Sequence, residues 1–296
     1  FFMKRIGGLK QQLGAGITDL TVDGRTPRRQ IDDCTAVIRR MYRQKRRVYL
    51  DLIGELAENG IGILAYDDLS DGDRARLRAD YVENIFPLVT PLAMDTAHPF
   101  PFISNLSLNL LVTLNYPAEP ETIMARVKVP VGSGVPRFLG GGEGHCFVPL
   151  EEVMAHNLDL LFPGMGVASC ELFRVTRNAD MEVDEEVEDL ASALKGQLLS
   201  RRYGDEVRLE VADNCPRHLM HYLLEQFELT EEDLYEVNGP VNLARMFTSV
   251  NRPRLHYPPF TPKLAPAVKK NETIFDAIDQ GDILLPHPYE SFQPVI

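Results

Sequence analysis

The clearest pattern along the chain is a long amphipathic stretch between Thr26 and Asn59. Thr26 is a good N-cap, Pro27 suits the first helical position, and Asn59-Gly60 supplies a C-terminal stop. At about 1.5 Å per residue the helix is expected to be roughly 50 Å long. Ile31, Cys34, Ile38, Met41, Val48, Leu52 and Leu56 fall on one stripe, which predicts the packed flank. Arg39, Arg40, Arg43, Arg46 and Arg47 fall on the opposite side. A shorter, partly basic helix over residues 3–13 precedes it and ends at Gly14-Ala15-Gly16.

From Ile61 the texture changes. A short apolar run, Ile61–Leu64, is followed by a helix from Asp71 to Phe86 and a proline-rich stretch, Pro91 to Pro101, read as a rigid extended connector. Strands are expected at Ser107–Leu114 and Ile123–Val129. In the second, Arg126 and Lys128 alternate with Ala125, Val127 and Val129 and should give it a wet face. Gly140–Gly144 leads into a short strand-like segment, and a helix follows over Leu150–Leu161. Further strands are expected at Cys170–Arg177, Val207–Val211 and Leu234–Val237, with helices at 184–203, Pro216–Phe227 and 241–247. Strands followed by alternating strands and helices make an α+β domain. Residues 251–266 carry the prolines of an extended linker.

Composition narrows the class. The 296 residues suffice for about two domains. At 44% hydrophobic and 25% charged, the chain is ordinary for a globular protein. No apolar run reaches the roughly 18 residues of a membrane span, and no signal peptide is visible. Four scattered cysteines argue for reduced thiols, and so for the cytoplasm, rather than a disulfide framework or zinc ribbon. A net charge of −12 argues against general nucleic-acid coating. Any polyanion must be met by a local patch, and the arginine face of the long helix is the obvious one, because guanidinium groups grip phosphate oxygens in pairs. The ordinary alternative is a solvated face with acidic partners in the same chain.

Other constellations are weaker. The glycines at 140–144 lack the following helix and the Lys-Ser/Thr of a nucleotide loop, so a hairpin loop is expected. Cys215, His218 and His221 lack an obvious fourth metal ligand. The acids from Asp180 to Asp189 suit a helix start. Arg174, Arg177, Asn178 and Asp180 cluster at a strand end, where an interdomain salt-bridge network is the default.

The last stretch begins with Asp282-Ile283-Leu284-Leu285, read as a short buried strand stopped by Pro286 and Pro288. Together with His287-Pro288-Tyr289-Glu290-Ser291-Phe292, it resembles the opening of the first catalytic domain of the long polyphosphate kinases. Three more stretches resemble that family in the same order: the start FFMKRIGGLK, the run PLAMDTAHPFPFISNLSLNL from Pro91 to Leu110, and Phe173–Asp180. Where this chain has Pro286, many relatives have His.

The resemblance implies a multidomain α and α+β chain. Residues 1–59 would form a helical N-terminal domain and 60–272 a mixed head domain. Residues 273–296 would carry the first strand of a phospholipase-D-like α/β domain. It also implies a parent enzyme that reversibly moves the terminal phosphoryl group of ATP onto inorganic polyphosphate through a phosphohistidine, with magnesium assisting. The phosphorylated histidine and the metal ligands would lie beyond Ile296, and an adenine-binding Asn before Phe1. On that expectation the fragment alone is inactive and has no catalytic residue. Nucleotide- or polyphosphate-binding candidates are Arg5, Arg39, Arg43, Arg46, His287, Tyr289 and Ser291. A homo-oligomer through the head domain is expected and nucleic acid is not; peripheral membrane association stays open. The alternative is a non-catalytic oligomerisation or polyanion-docking module.

Overall fold

In a computed structural model, the structure describes residues 1–94, 98–117, 122–132, 134–142, 144–179, 204–242, 253–255, 257–271 and 273–295. The chain divides into two compact units, Phe1–Thr248 and Ser249–Ile296. The helices expected at 184–203 and 241–247 lie wholly or mostly outside the described residues, as does the acidic run from 180.

The first unit opens on a π-helical turn, Phe2–Ile6, that continues into α1 (Gly7–Gly14). Its close approach to the sheet is set at Gly7, where a Cβ would sit 2.2 Å from the Asn178 side chain. Met3 accepts a hydrogen bond from the Ala179 amide at 2.8 Å, tying this turn to the strand end beside it. The long helix α2 (Pro27–Glu58) forms as expected, with the Thr26 hydroxyl accepting from the Arg29 amide.

The packed face of α2 differs from the expected stripe. Met41, Val48 and Leu52 are 57%, 56% and 50% exposed. The helix instead docks through Ile31, Tyr42 and Tyr49, a face rotated by roughly 60°. The reason is chemical. The surface beneath carries charged groups, and a tyrosine offers both ring area and a hydroxyl. Gly239, at φ +102°, lets the Tyr49 ring settle on its backbone; a Cβ there would come within 3.3 Å of the ring.

The described residues hold nine strands: six stand where the sequence suggests them, and three, at Ile61–Ile63, Pro91–Met94 and Phe138–Gly140, are additions. A three-stranded sheet runs β1-β6-β5 from β1 (Ile61–Ile63), β5 (Phe138–Gly140) and β6 (His145–Pro149). A six-stranded sheet runs β2-β4-β3-β7-β8-β9, from β2 (Pro91–Met94), β3 (Leu108–Asn115), β4 (Thr122–Lys128), β7 (Gly166–Arg177), β8 (Glu206–Ala212) and β9 (Leu234–Val237). All its neighbours are antiparallel except β8 and β9.

The supposed connector at Pro91 is therefore β2, an edge strand, where a first-position proline costs no ladder bond. Because β2 pairs with β4, Leu92 stands opposite Arg126. Arg126 is only 7% exposed, its Nε donating to Asn109 Oδ1 at 2.8 Å, and burial lowers its pKa. The wet face expected on β4 is thus reduced to its ends, such as Lys128.

Both faces of the large sheet are covered. Leu110, Val112 and Val127 face α3 (Asp71–Asp80), its π-helical extension Tyr81–Ile85, and α4 (Leu150–Ala155). Leu111, Phe173, Val175 and Val211 face α5 (Arg217–Gln226) through Leu219 and Leu223.

Among its described residues the second unit holds two short α-helices, Pro266–Lys269 and Ile274–Asp279, the latter opened by a Thr273/Asp276 capping box. The strand expected at Asp282–Leu285 does not form. No described neighbour offers it a ladder, and Leu284 is 86% exposed. Instead Lys263 and Glu290 form an isolated parallel bridge.

Candidate phosphate-binding face and the network beneath it

The structure separates the sequence candidates into three places. Arg39 points along the docked edge of α2. Its guanidinium donates to the Glu231 carbonyl at 3.2 Å and lies 5.7 Å from the Tyr235 ring. Arg43 and Arg46 are exposed and make no ion pair among the described residues, as do Arg40 and Arg47. Arg5 is tied to the Gln30 side chain near the start of α2. Thirteen residues separate Gln30 from Arg43, about 20 Å along the helix, so Arg5 does not join the arginine face.

His287, Tyr289 and Ser291 lie in the second unit and are described there alone. The Tyr289 carbonyl accepts from the Lys263 amide at 3.0 Å, and the Ser291 amide donates to the Lys263 carbonyl at 2.9 Å. The Tyr289 ring meets Phe260 edge-on and His287 meets Phe292. The Ser291 hydroxyl accepts from the Gln293 amide. These contacts order the segment, and each of the three side chains is engaged with a different neighbour.

Sequence reasoning missed the network under α2. Glu210 on β8 is 2% exposed. Its carboxylate accepts from Arg208 at 2.5 Å, Arg174 at 2.7 Å and the Tyr42 hydroxyl at 2.9 Å. The Arg208 guanidinium stacks within 4.2 Å of Phe2, 4.9 Å of Tyr235 and 5.3 Å of Tyr42. Lys45 Nζ sits 3.9 Å from the Tyr42 ring. Burial pulls the Lys45 pKa down, while the Glu210 carboxylate works the other way. One signal was available: Arg208 and Glu210, two apart in the expected strand Val207–Val211 whose other residues are apolar, must share one face. Arg174 and Arg177 do form ion pairs, but with Glu210 at 2.7 Å and Glu206 at 2.5 Å on the adjacent strand β8, so these pairs lie within one sheet rather than between domains as expected.

The other candidates resolve simply. β5 and β6 pair as an antiparallel hairpin, with the Gly141 amide donating to the Cys146 carbonyl at 2.9 Å. Among the described residues no group of three or more His, Cys, Asp or Glu side chains could hold a metal ion. No described helix is long and apolar enough to cross a membrane.

Burial pushes the Cys170 and Cys215 thiols up to about 12. The folded chain therefore holds protons that an unfolded thiol releases near pH 9. Stability is expected to be whole below pH 9 and to fall as pH rises toward 12. Urea titrations across that window check this, and Cys215→Ala should flatten the slope.

Comparisons place these features in a family. Residues 72–249 match the polyphosphate kinase middle domain and residues 1–64 the polyphosphate kinase N-terminal domain. The chain is 41% identical over 306 residues to a polyphosphate kinase of Pseudomonas aeruginosa, covering all of this chain and 44% of that protein. It is 41% identical over 324 residues to one of Synechocystis, covering 99% and 44%. The crystal structure of polyphosphate kinase from Porphyromonas gingivalis superposes with a TM-score of 0.71 at 21% identity, covering 100% of this chain and 42% of that one, and so shares the fold. The chain spans less than half the length of these relatives. With both family domains matched in order, the chain belongs to the polyphosphate kinase family.

Proposed function

We propose that this chain is the N-terminal and head-domain part of an ATP:polyphosphate phosphotransferase. In this reading the parent passes the terminal phosphoryl group of ATP to inorganic polyphosphate through a phosphohistidine outside these residues. The division at 1–59, 60–272 and 273–296, and assembly through the head domain in the cytoplasm, belong to the same reading. Magnesium would supply charge neutralisation at the moving phosphoryl group. The described residues offer no cluster to hold it, so that chemistry is not assigned to them.

Within this reading the arginine face of α2 docks the polymer. The observation that carries it is that Arg43 and Arg46 are exposed and have no ion-pair partner among the described residues, although the chain carries a charge of −12. Arg39 contributes a third charge, since its partners among the described residues are carbonyl oxygens and an aromatic ring rather than a carboxylate. An extended polyanion can follow such a row by exchanging its counterions for guanidinium groups.

The test is polyphosphate binding by this chain over a salt series. The triple variant Arg39→Ala, Arg43→Ala, Arg46→Ala should bind at least about tenfold more weakly, with a salt slope shallower by about two. The double variant Arg43→Ala, Arg46→Ala leaves every described contact in place and should show most of the loss. Unchanged binding in both variants would sink the docking face. Labelled ATP separates the larger claim: transfer to polymer by the longer parent supports it, and none in the parent removes it.

A further inference from the structure

A separate cavity opens between α2, the β6–α4 corner and the face of the large sheet. Its volume is ≈450 Å³, within the usual range of small-molecule sites. The floor is apolar: Leu110 of β3 and Cys170 and Leu172 of β7 line it. The opposite wall is Leu64 and Ala65, just after β1, with Ala155 of α4. Tyr49 of α2 stands at the rim over Gly239.

The charged groups in the lining are mostly acidic: Glu171 of β7 joins two glutamates of α4, and the other polar residues are Tyr49, His156 and Asn214. Glu151 and Glu152 both line the cavity, and no lysine or arginine does so among the described residues. Glu151 is already satisfied by Arg137, 2.5 Å away. Glu152 has no such cation. It accepts the Tyr66 amide at 2.8 Å through one oxygen, and the other oxygen has no hydrogen-bond partner among the described residues. Burial raises its pKa, as expected of a carboxylate short of compensating charge. Its neighbour His156 is spent elsewhere. That ring stacks on Tyr66 at 4.3 Å, its Nδ1 meets the Glu152 carbonyl, and its Nε2 lies 3.3 Å from Asp67. The Tyr49 hydroxyl has no hydrogen bond among the described residues.

We propose that this cavity binds a small organic cation: a compact apolar or aromatic body on the Leu110–Cys170–Leu172 floor, with a protonated amine or amidine facing Glu152 and the Tyr49 hydroxyl. The same charge pattern disfavours phosphate, because a phosphoryl group would face carboxylates with no lysine or arginine to meet it, and His156 already faces Asp67. The site is thus chemically opposite to the arginine face of α2. It does not depend on how the polymer is held.

Three probes of one shape decide it: benzylamine, benzyl alcohol and benzoate, each titrated into this chain and followed by saturation-transfer NMR and calorimetry. Benzylamine should bind, benzyl alcohol more weakly, and benzoate at least about tenfold more weakly than the amine. Glu152→Gln keeps an oxygen for the Tyr66 amide. It should erase the preference for the amine while leaving benzyl alcohol binding unchanged, and the alcohol also reports that the variant is folded. Ala155→Leu, which fills the cavity from α4, should weaken all probes that bind. Benzoate binding as well as benzylamine, an undiminished amine preference in Glu152→Gln, or no binding by any probe would each overturn the proposal.

Discussion

Replacing Glu210 with Ala should destabilise the first unit by about 3–5 kcal/mol, the cost of leaving buried charge without its counter-ion. Two guanidinium groups, Arg174 and Arg208, share this one carboxylate at 2.7 and 2.5 Å. Their exposures are only 12% and 8%, so water does not replace it. Arg208 Nε already lacks a partner and is buried, which leaves that side chain little reserve. The Tyr42 hydroxyl would lose its acceptor as well, and with it one anchor of α2. Denaturant unfolding monitored by tyrosine fluorescence gives the number. Adding Arg208→Leu to Glu210→Ala should recover part of the loss, because the second change removes one stranded charge. A loss below about 1 kcal/mol would show that the carboxylate is not what holds the two arginines.

Glu151→Ala should cost a comparable amount, about 3 kcal/mol or more. Arg137 and Glu151 are 2% and 7% exposed and meet at 2.5 Å. Arg137 also donates to the Val241 and Asn242 carbonyls at 2.6 and 2.7 Å. It therefore couples the start of α4 to the segment after β9. Those carbonyls soften the loss but cannot neutralise the guanidinium. Arg137→Met with Glu151→Leu removes both charges and keeps the bulk, so its cost should be well below that of Glu151→Ala alone. Thermal unfolding of the three variants checks the order. A double variant as unstable as the single would mean that packing, rather than charge, dominates at this corner.

Local signals read well wherever the interaction is local. The Thr26-Pro27 start and the Asn59-Gly60 stop of α2 were legible because a cap is decided within one turn. Strands β3, β4, β7, β8 and β9 were legible from apolar runs bounded by turn residues. The family itself was legible, since four motifs stood in order. What failed depended on partners far away in sequence. The docked face of α2 was misjudged because Tyr42 and Tyr49 pack on Glu210 and Gly239, more than 160 residues on. β2 was missed because proline discourages a strand unless it lies on an edge, and edges are not marked in sequence. The lone segment Asp282–Leu285 had strand composition but no described neighbour to pair with. In the candidate face, Arg43 and Arg46 could be named from helical spacing, whereas the three-donor site at Glu210 could not.

The two apolar layers of the first unit rest on opposite sides of one sheet. Leu110, Leu111 and Val112 are consecutive in β3, each no more than 2% exposed, and successive residues serve opposite layers. β7 does the same with Leu172 and Phe173. Parting β3 from β7 would therefore open both layers at once. Neither half can melt while the other stays dry, and the loss of this one seam is global unfolding of the unit rather than a local opening.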